Sequence, residues 1–196
     1  MSHSKDHTIV LICGYARAGK DTFADGMLKY ANFKCGKPAL LKMNFADHLK
    51  NVCNTLITNL KLDGDFWNTE FKNDNRDLLV SVGRFARSID VNVFPNALCA
   101  NANEVVFGLN YCDSIVIADW RYLNELEVIK QLMSSNWNIV TIYVETENVL
   151  PANEEEGVSI GNIIRNHSFN HTFSFRQNDP QALMTAGFQL AAQLNF

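Results

Sequence analysis

Apolar residues follow two rhythms along the chain. Thr8 to Cys13, Ser114 to Ala118 and Ile139 to Val144 are dominated by Ile, Val and Leu in nearly unbroken runs, the pattern of parallel strands covered on both faces. Leu41-Lys42-Met43-Asn44-Phe45 and Thr172-Phe173-Ser174-Phe175-Arg176 instead alternate polar with apolar, which suits strands with one face partly exposed. Strands are therefore predicted at Thr8 to Cys13, Ala39 to Met43, Ser114 to Ala118, Ile139 to Val144 and His171 to Arg176, with the alternating pair at the sheet edges. Helical spacing follows the first, third and fifth: Phe23, Met27 and Tyr30 share a face, as do Leu126, Ile129 and Met133. Asp179-Pro180 supplies an N-cap and first-turn proline before Leu183, Ala186, Leu190 and Leu194. Strands alternating with helices predict an α/β fold with right-handed crossovers.

Two connections, Ala46 to Cys112 and Glu145 to Asn170, exceed ordinary crossovers and are expected to carry substrate-facing elements. At 196 residues the chain suits a single domain. Its core is expected over 8–45, 113–144 and 171–196, an insert over 46–112 and a lid over 145–170. With 47% hydrophobic and 19% charged residues, the composition is that of a soluble globular protein, and no apolar run nears the roughly 20 residues that span a bilayer. The start, MSHSKDH, lacks the apolar core of a secretion signal. Five cysteines, odd in number and without a CxxC pair, predict reduced thiols and a cytoplasmic location rather than disulfides or zinc. His167 and His171 lack a third ligand and do not read as a zinc site. A net charge of -4 gives no basic footprint for a nucleic-acid polymer, so a phosphate-bearing partner should be small.

Gly14-Tyr15-Ala16-Arg17-Ala18-Gly19-Lys20 satisfies G-x-x-x-x-G-K between a predicted strand and a predicted helix, the context that a phosphate-binding loop requires. Its glycines let N–H groups turn onto phosphate oxygens, the helix start adds its positive dipole end, and Lys20 neutralises phosphate charge. Asp21 stands where Ser or Thr is usual, followed by Thr22, so Thr22 becomes the candidate hydroxyl near Mg²⁺. Asp21 can be read as a carboxylate near the metal, as a group orienting the acceptor, or as a plain first-turn acid. Asp119 follows the third strand's apolar run, where ligands bind in an open α/β sheet. It can hold Mg²⁺ through water or serve as a helix cap, and Arg121 beside it can reach a phosphate or lie on the surface.

The loop GYARAGKDTFAD, the segment Ser114-Ile-Val-Ile-Ala-Asp119-Trp-Arg121-Tyr-Leu-Asn124-Glu125, and Arg76-Asp-Leu-Leu-x-x-x-Gly83 with Arg87 resemble the bacteriophage deoxynucleoside monophosphate kinases. The resemblance runs loosely over nearly the whole chain; Phe169 departs from it, standing where the family continues His-Ser with Glu. It implies a P-loop kinase core of three αβα layers and a five-stranded parallel sheet in the order 2-3-1-4-5, which the edge-and-centre argument supports. It also implies ATP and Mg²⁺, with Lys20, Asp21 and Arg121 at the reacting groups. Gly14, Ala16, Arg17, Ala18, Gly19, Lys20, Asp21, Thr22 and Arg165 would bind nucleotide. Arg76, Arg87, Asp119, Trp120 and Glu125 would face the acceptor, and Thr22 and Asp119 the metal.

Within the insert, Arg76, Arg84 and Arg87 lie among Phe66, Trp67, Phe71, Phe85 and Phe94. Aromatics can stack a base while arginines hold a monophosphate, but core packing is the simpler role for the aromatics. In the second connection, Gly157, Gly161 and a basic end suit a mobile lid, while Glu154-Glu155-Glu156 reads as a solvated face. The reading is a kinase moving the ATP γ-phosphoryl group to a deoxynucleoside monophosphate, with no nucleic-acid polymer or membrane as partner and with a homodimer compatible. A P-loop kinase of a small-metabolite hydroxyl, of the dephospho-coenzyme A kinase type, is one alternative. A nucleotide-binding module without turnover is another.

Overall fold

The computed structural model describes residues 7–33 and 39–196; the expectations for residues 1–6 and for Cys35 lie outside the described residues. The strands are β1 (His7–Cys13), β2 (Leu40–Met43), β3 (Ser114–Trp120), β4 (Trp137–Thr146) and β5 (His171–Phe175). They form one parallel sheet in the order β2-β3-β1-β4-β5, with the alternating strands at its edges. This is the predicted α/β sheet. The strand β4 starts at Trp137 rather than Ile139, because polar Asn138 interrupts the apolar run while Trp137 still pairs with His7 and is buried.

The helices are α1 (Lys20–Ala31), α2 (Phe45–Asn59), α3 (Thr69–Asp74), α4 (Arg76–Ile89), α5 (Val93–Asn103), α6 (Leu123–Met133), α7 (Glu154–Asn166) and α8 (Pro180–Gln193). A π-helical turn, Glu104–Gly108, follows α5. Because successive side chains of a strand point to opposite faces, Ile9, Leu11, Ile115 and Ile117 pack with Leu98, Leu126, Ile129, Ile160 and Ile163 from α5, α6 and α7. Val10, Ile12, Val116 and Ala118 pack on the other face with Phe23, Met27, Leu183 and Leu190 from α1 and α8. The result is three layers. The insert closes over its own small core of Cys53, Ile57 and Phe66.

Gly26 and Gly187 let α1 and α8 meet backbone to backbone: a Cβ on Gly26 would strike the Met184 carbonyl, and one on Gly187 the Phe23 carbonyl. Cys13, Cys53, Cys99 and Cys112 are all buried, and none forms a disulfide. No helix among the described residues is long and apolar enough to cross a membrane.

The sheet order fixes where a ligand can enter. From β1 the chain travels outward to β2, and from β3 it returns across β1 to β4. The carboxyl ends of β1 and β3 are therefore a switch point, where the connections part and leave a crevice. Cys13 and Trp120 pair there, so the glycine loop and the Asp119–Arg121 segment emerge side by side.

Candidate functional site

The loop after β1 depends on glycine. Gly14 has φ 153° and Gly19 φ 83°, values that side chains rarely tolerate. A Cβ on Gly14 would strike the Val144 carbonyl, and one on Gly19 the Leu183 side chain. Arg17 also adopts a left-handed φ, of 67°. Thr146 Oγ1 donates to the Ala18 carbonyl at 3.1 Å, fastening the loop to the end of β4. Lys20, the first residue of α1, is only 7% exposed and donates from Nζ to the Tyr15 carbonyl at 2.7 Å. Burial, and then repulsion by Arg121, lower its pKa, against the attraction of Glu156, Cys13 and Asp21.

The first turn of α1 separates two recesses. Asp21 lines a cavity of about 450 Å³ together with Arg76, Arg84, Arg87, Asp119 and Arg121. Thr22 lines a cleft of about 800 Å³ with Ala16, Arg17, Gly19 and residues of the 176–180 turn. Asp21 is exposed and ion-paired: Lys42 of β2 approaches it at 2.7 Å and Asp25 at 3.3 Å. Aspartates four apart on α1 thus share one cation.

The D-x-R-x-x-N-E segment is first a set of caps. Asp119 accepts the Phe45 N–H at 2.9 Å and the Ala46 N–H at 3.1 Å, capping α2 from another strand. Glu125 Oε2 accepts the N–H groups of Arg121 and Tyr122 at 2.9 and 3.0 Å, closing the start of α6. Burial raises the Asp119 pKa and lifts that of Glu125 to about 8, the latter aided by the Asp119 charge and opposed by its two backbone hydrogen bonds. Asn124 donates to the Val91 carbonyl and to Asn92 Oδ1 at the start of α5. What these caps leave for a ligand is Arg121, whose guanidinium forms no ion pair among the described residues.

Arg87 lies over the rings of Phe94 and Tyr122, at 4.7 and 5.0 Å from their centroids, an arrangement that orients a guanidinium while leaving its edge for an anion. Arg84 pairs with Glu155 at 3.3 Å. Of the insert aromatics, Phe66 and Phe94 are core as expected. Trp67 and Phe85 are not: both are exposed, Trp67 beneath Lys50 at 4.3 Å.

Gly14 to Thr22, Arg76, Arg87, Asp119, Arg121 and Glu125 therefore gather around the crevice, whereas Trp120 and Arg165 do not. Trp120 is fully buried, donates to the Tyr122 carbonyl at 2.9 Å and packs on His167 and Phe169. Arg165 is exposed in the last turn of α7 and lines neither recess. Phe169 joins Trp120 and Tyr143 in an aromatic cluster.

The acidic run is not a solvated face throughout. Glu156 is buried, with Oε1 accepting the Ala16 N–H at 3.1 Å and Oε2 the Ala152 N–H at 2.8 Å. Asn153, three residues earlier, accepts the Glu156 N–H, an Asn-x-x-Glu signal of a helix start that was readable in the sequence. Nor does α7 hang free, since Ile160 and Ile163 are fully buried in the core.

The loop fits a polyphosphate: glycines where a Cβ would collide, a helix start, and a buried ammonium. The donors for Mg²⁺ are less concentrated. Thr22 and Asp119 line different recesses, and both Asp119 oxygens already accept N–H groups. Among the described residues, no group of three or more His, Cys, Asp or Glu is placed to hold a metal ion. A scan against protein-family models finds no match to this chain, and a search of curated proteins also finds none.

Proposed function

We propose that the protein is a P-loop kinase that transfers the γ-phosphoryl group of ATP to a deoxynucleoside monophosphate. The observation carrying this reading is the first turn of α1, which stands between a cleft beside the glycine loop and a cavity rich in arginine. Donor and acceptor on opposite sides of Lys20 would present their phosphates to each other across the carboxyl ends of β1 and β3. The resemblance to the phage deoxynucleoside monophosphate kinases supports the same assignment.

In this reading the loop N–H groups and Lys20 hold the donor phosphates, and the 176–180 turn borders the nucleoside. Arg76 and Arg87 hold the acceptor phosphate. Arg121, facing the cavity and close enough to Lys20 to repel it, steadies the charge on the transferring group. Magnesium would travel with the nucleotide and neutralise phosphate charge. The acceptor is a phosphate oxygen whose second pKa is about 6, so it is largely ionised at neutral pH and needs no strong base. The pairing of Asp21 with Lys42 favours this over a hydroxyl acceptor, for which Asp21 would be the base.

The deciding experiment measures ADP release from MgATP with each deoxy- and ribonucleoside monophosphate in turn. At least one deoxynucleotide should support turnover, and Lys20→Ala should lower the rate at least about a hundredfold, as loss of one electrostatic donor does. Unchanged ATP with every monophosphate, or near-normal turnover in Lys20→Ala, overturns the proposal.

A further inference from the structure

Two adjacent carboxylates at the start of α7 sit on the donors that the two substrates would need. Glu156 accepts the Ala16 N–H inside the glycine loop, and its charge acts on Lys20, whose ammonium is meanwhile turned onto the Tyr15 carbonyl. One residue earlier, Glu155 accepts the Tyr122 hydroxyl at 2.7 Å and the Arg84 guanidinium at 3.3 Å on the wall of the arginine-rich cavity. Those two hydrogen bonds, with the charges of Arg84 and Arg87, hold the Glu155 carboxyl below its ordinary range. A carboxylate offers an anion site what a phosphate does, negative oxygens for charge-assisted hydrogen bonds.

We propose that Glu156 and Glu155 are internal stand-ins for the donor and acceptor phosphates, each competing with one substrate, so that binding of one substrate prepares the site for the other. The inference rests on the kinase reading above. Because Ile160 and Ile163 anchor α7 in the core, the side chains and the first turn move while the helix stays.

The coupling follows from sharing that turn. A phosphate oxygen on the Ala16 N–H ejects Glu156 from the loop and weakens its bond to the Ala152 N–H, one of the contacts that fix the turn beside Asn153. Glu155 then loosens its hold on Arg84 and Tyr122, and these donors become available to the acceptor. Competition by an internal group lowers apparent affinity by the fraction of molecules in which the site is blocked. By linkage, the effect of donor on acceptor equals that of acceptor on donor. If Glu156 instead positioned the loop for phosphate, removing its charge would weaken donor binding, the opposite sign.

Calorimetric titration of wild type, Glu156→Gln and Glu155→Gln with a non-hydrolysable ATP analogue, inorganic tripolyphosphate and each of the four deoxynucleoside monophosphates separates these outcomes. Glu156→Gln should bind the analogue and tripolyphosphate about tenfold more tightly, as expected when one charge-assisted competitor is lost. Glu155→Gln should bind a monophosphate about fivefold more tightly. In wild type the analogue should tighten monophosphate binding about fivefold or more, and either substitution should bring that ratio towards one. Unchanged or weaker donor binding by Glu156→Gln, or a wild-type ratio of one, overturns the inference and leaves the kinase reading intact. Should Glu156→Gln fail to fold, the wild-type ratio and the half-exposed Glu155→Gln still decide. Failure of all three proteins to bind any of these ligands overturns both.

Discussion

Lys42 accounts for the residue that follows the glycine loop, because it gives Asp21 a partner. The ammonium bridges Asp21 and Asp25 at 2.7 and 3.3 Å, so the unusual residue after Lys20 sits in an ion pair on the side of α1 that faces the arginine-lined cavity. The spacing of the two aspartates was visible in the sequence; their cation was not, because it comes from β2, which only the fold brings alongside. If the acceptor is a monophosphate, Asp21→Asn should change the rate while leaving the acid limb of the pH profile near the substrate's own second pKa, about 6. An acid limb present in wild type and missing in the mutant would make Asp21 a base and refute that acceptor. Asp119 was legible as a residue at the carboxyl end of a strand. Capping was one of its two expected tasks, but the helix it caps was not legible, since the amides it accepts belong to Phe45 and Ala46 at the start of α2.

The helix pair α1 and α8 sets the stiffness of the loop's foundation. Gly187→Ala would drive a methyl group into the Phe23 carbonyl, and overpacking of this kind costs about 1–3 kcal/mol. Thermal unfolding of that variant should fall by about 2–12 °C, since about 2–4 °C accompanies each kcal/mol in a chain of this size. Gly161→Ala is the control: on α7 its methyl would meet only the flexible Arg165 side chain, at 3.5 Å, and helix propensity should raise stability by up to about 1 kcal/mol. Equal shifts in both variants would remove the close-packing argument. The β-strands were legible from unbroken or alternating apolar runs, and the helices α1, α6 and α8 because each buries one periodic face in the main core. The insert helices α2 to α4 were not, because they surround a separate small core and α4 leaves Phe85 and Ile89 exposed, which blurs any single apolar stripe. At α7, acidic residues and two glycines masked a helix whose buried face rests on Ile160 and Ile163.

Across the whole molecule, the buried carboxyl of Glu125 links stability to pH. Its folded pKa of about 8 lies above the ordinary value of 4.5, so the native state binds a proton that the unfolded chain has released. The contribution is therefore fullest below pH about 4.5 and declines as pH rises towards about 8. Asp119 shifts in the same direction. Urea midpoints measured at pH 6 and pH 8 should show wild type losing stability across that interval more steeply than Glu125→Gln, which keeps an oxygen for the Arg121 and Tyr122 amides. Parallel slopes in the two proteins would place the pH response elsewhere. The same burial governs sulfur. Burial pushes the Cys13 thiol up to about 12 against the lowering effect of the Lys20 charge, Cys99 reaches about 12 as well, and Cys53 is raised. A thiol becomes nucleophilic only as thiolate, so these three are poor targets for peroxide and alkylating reagents while the chain is folded. Their reactivity becomes a clock for unfolding: label accumulates on these three sulfurs only as fast as the structure around them opens.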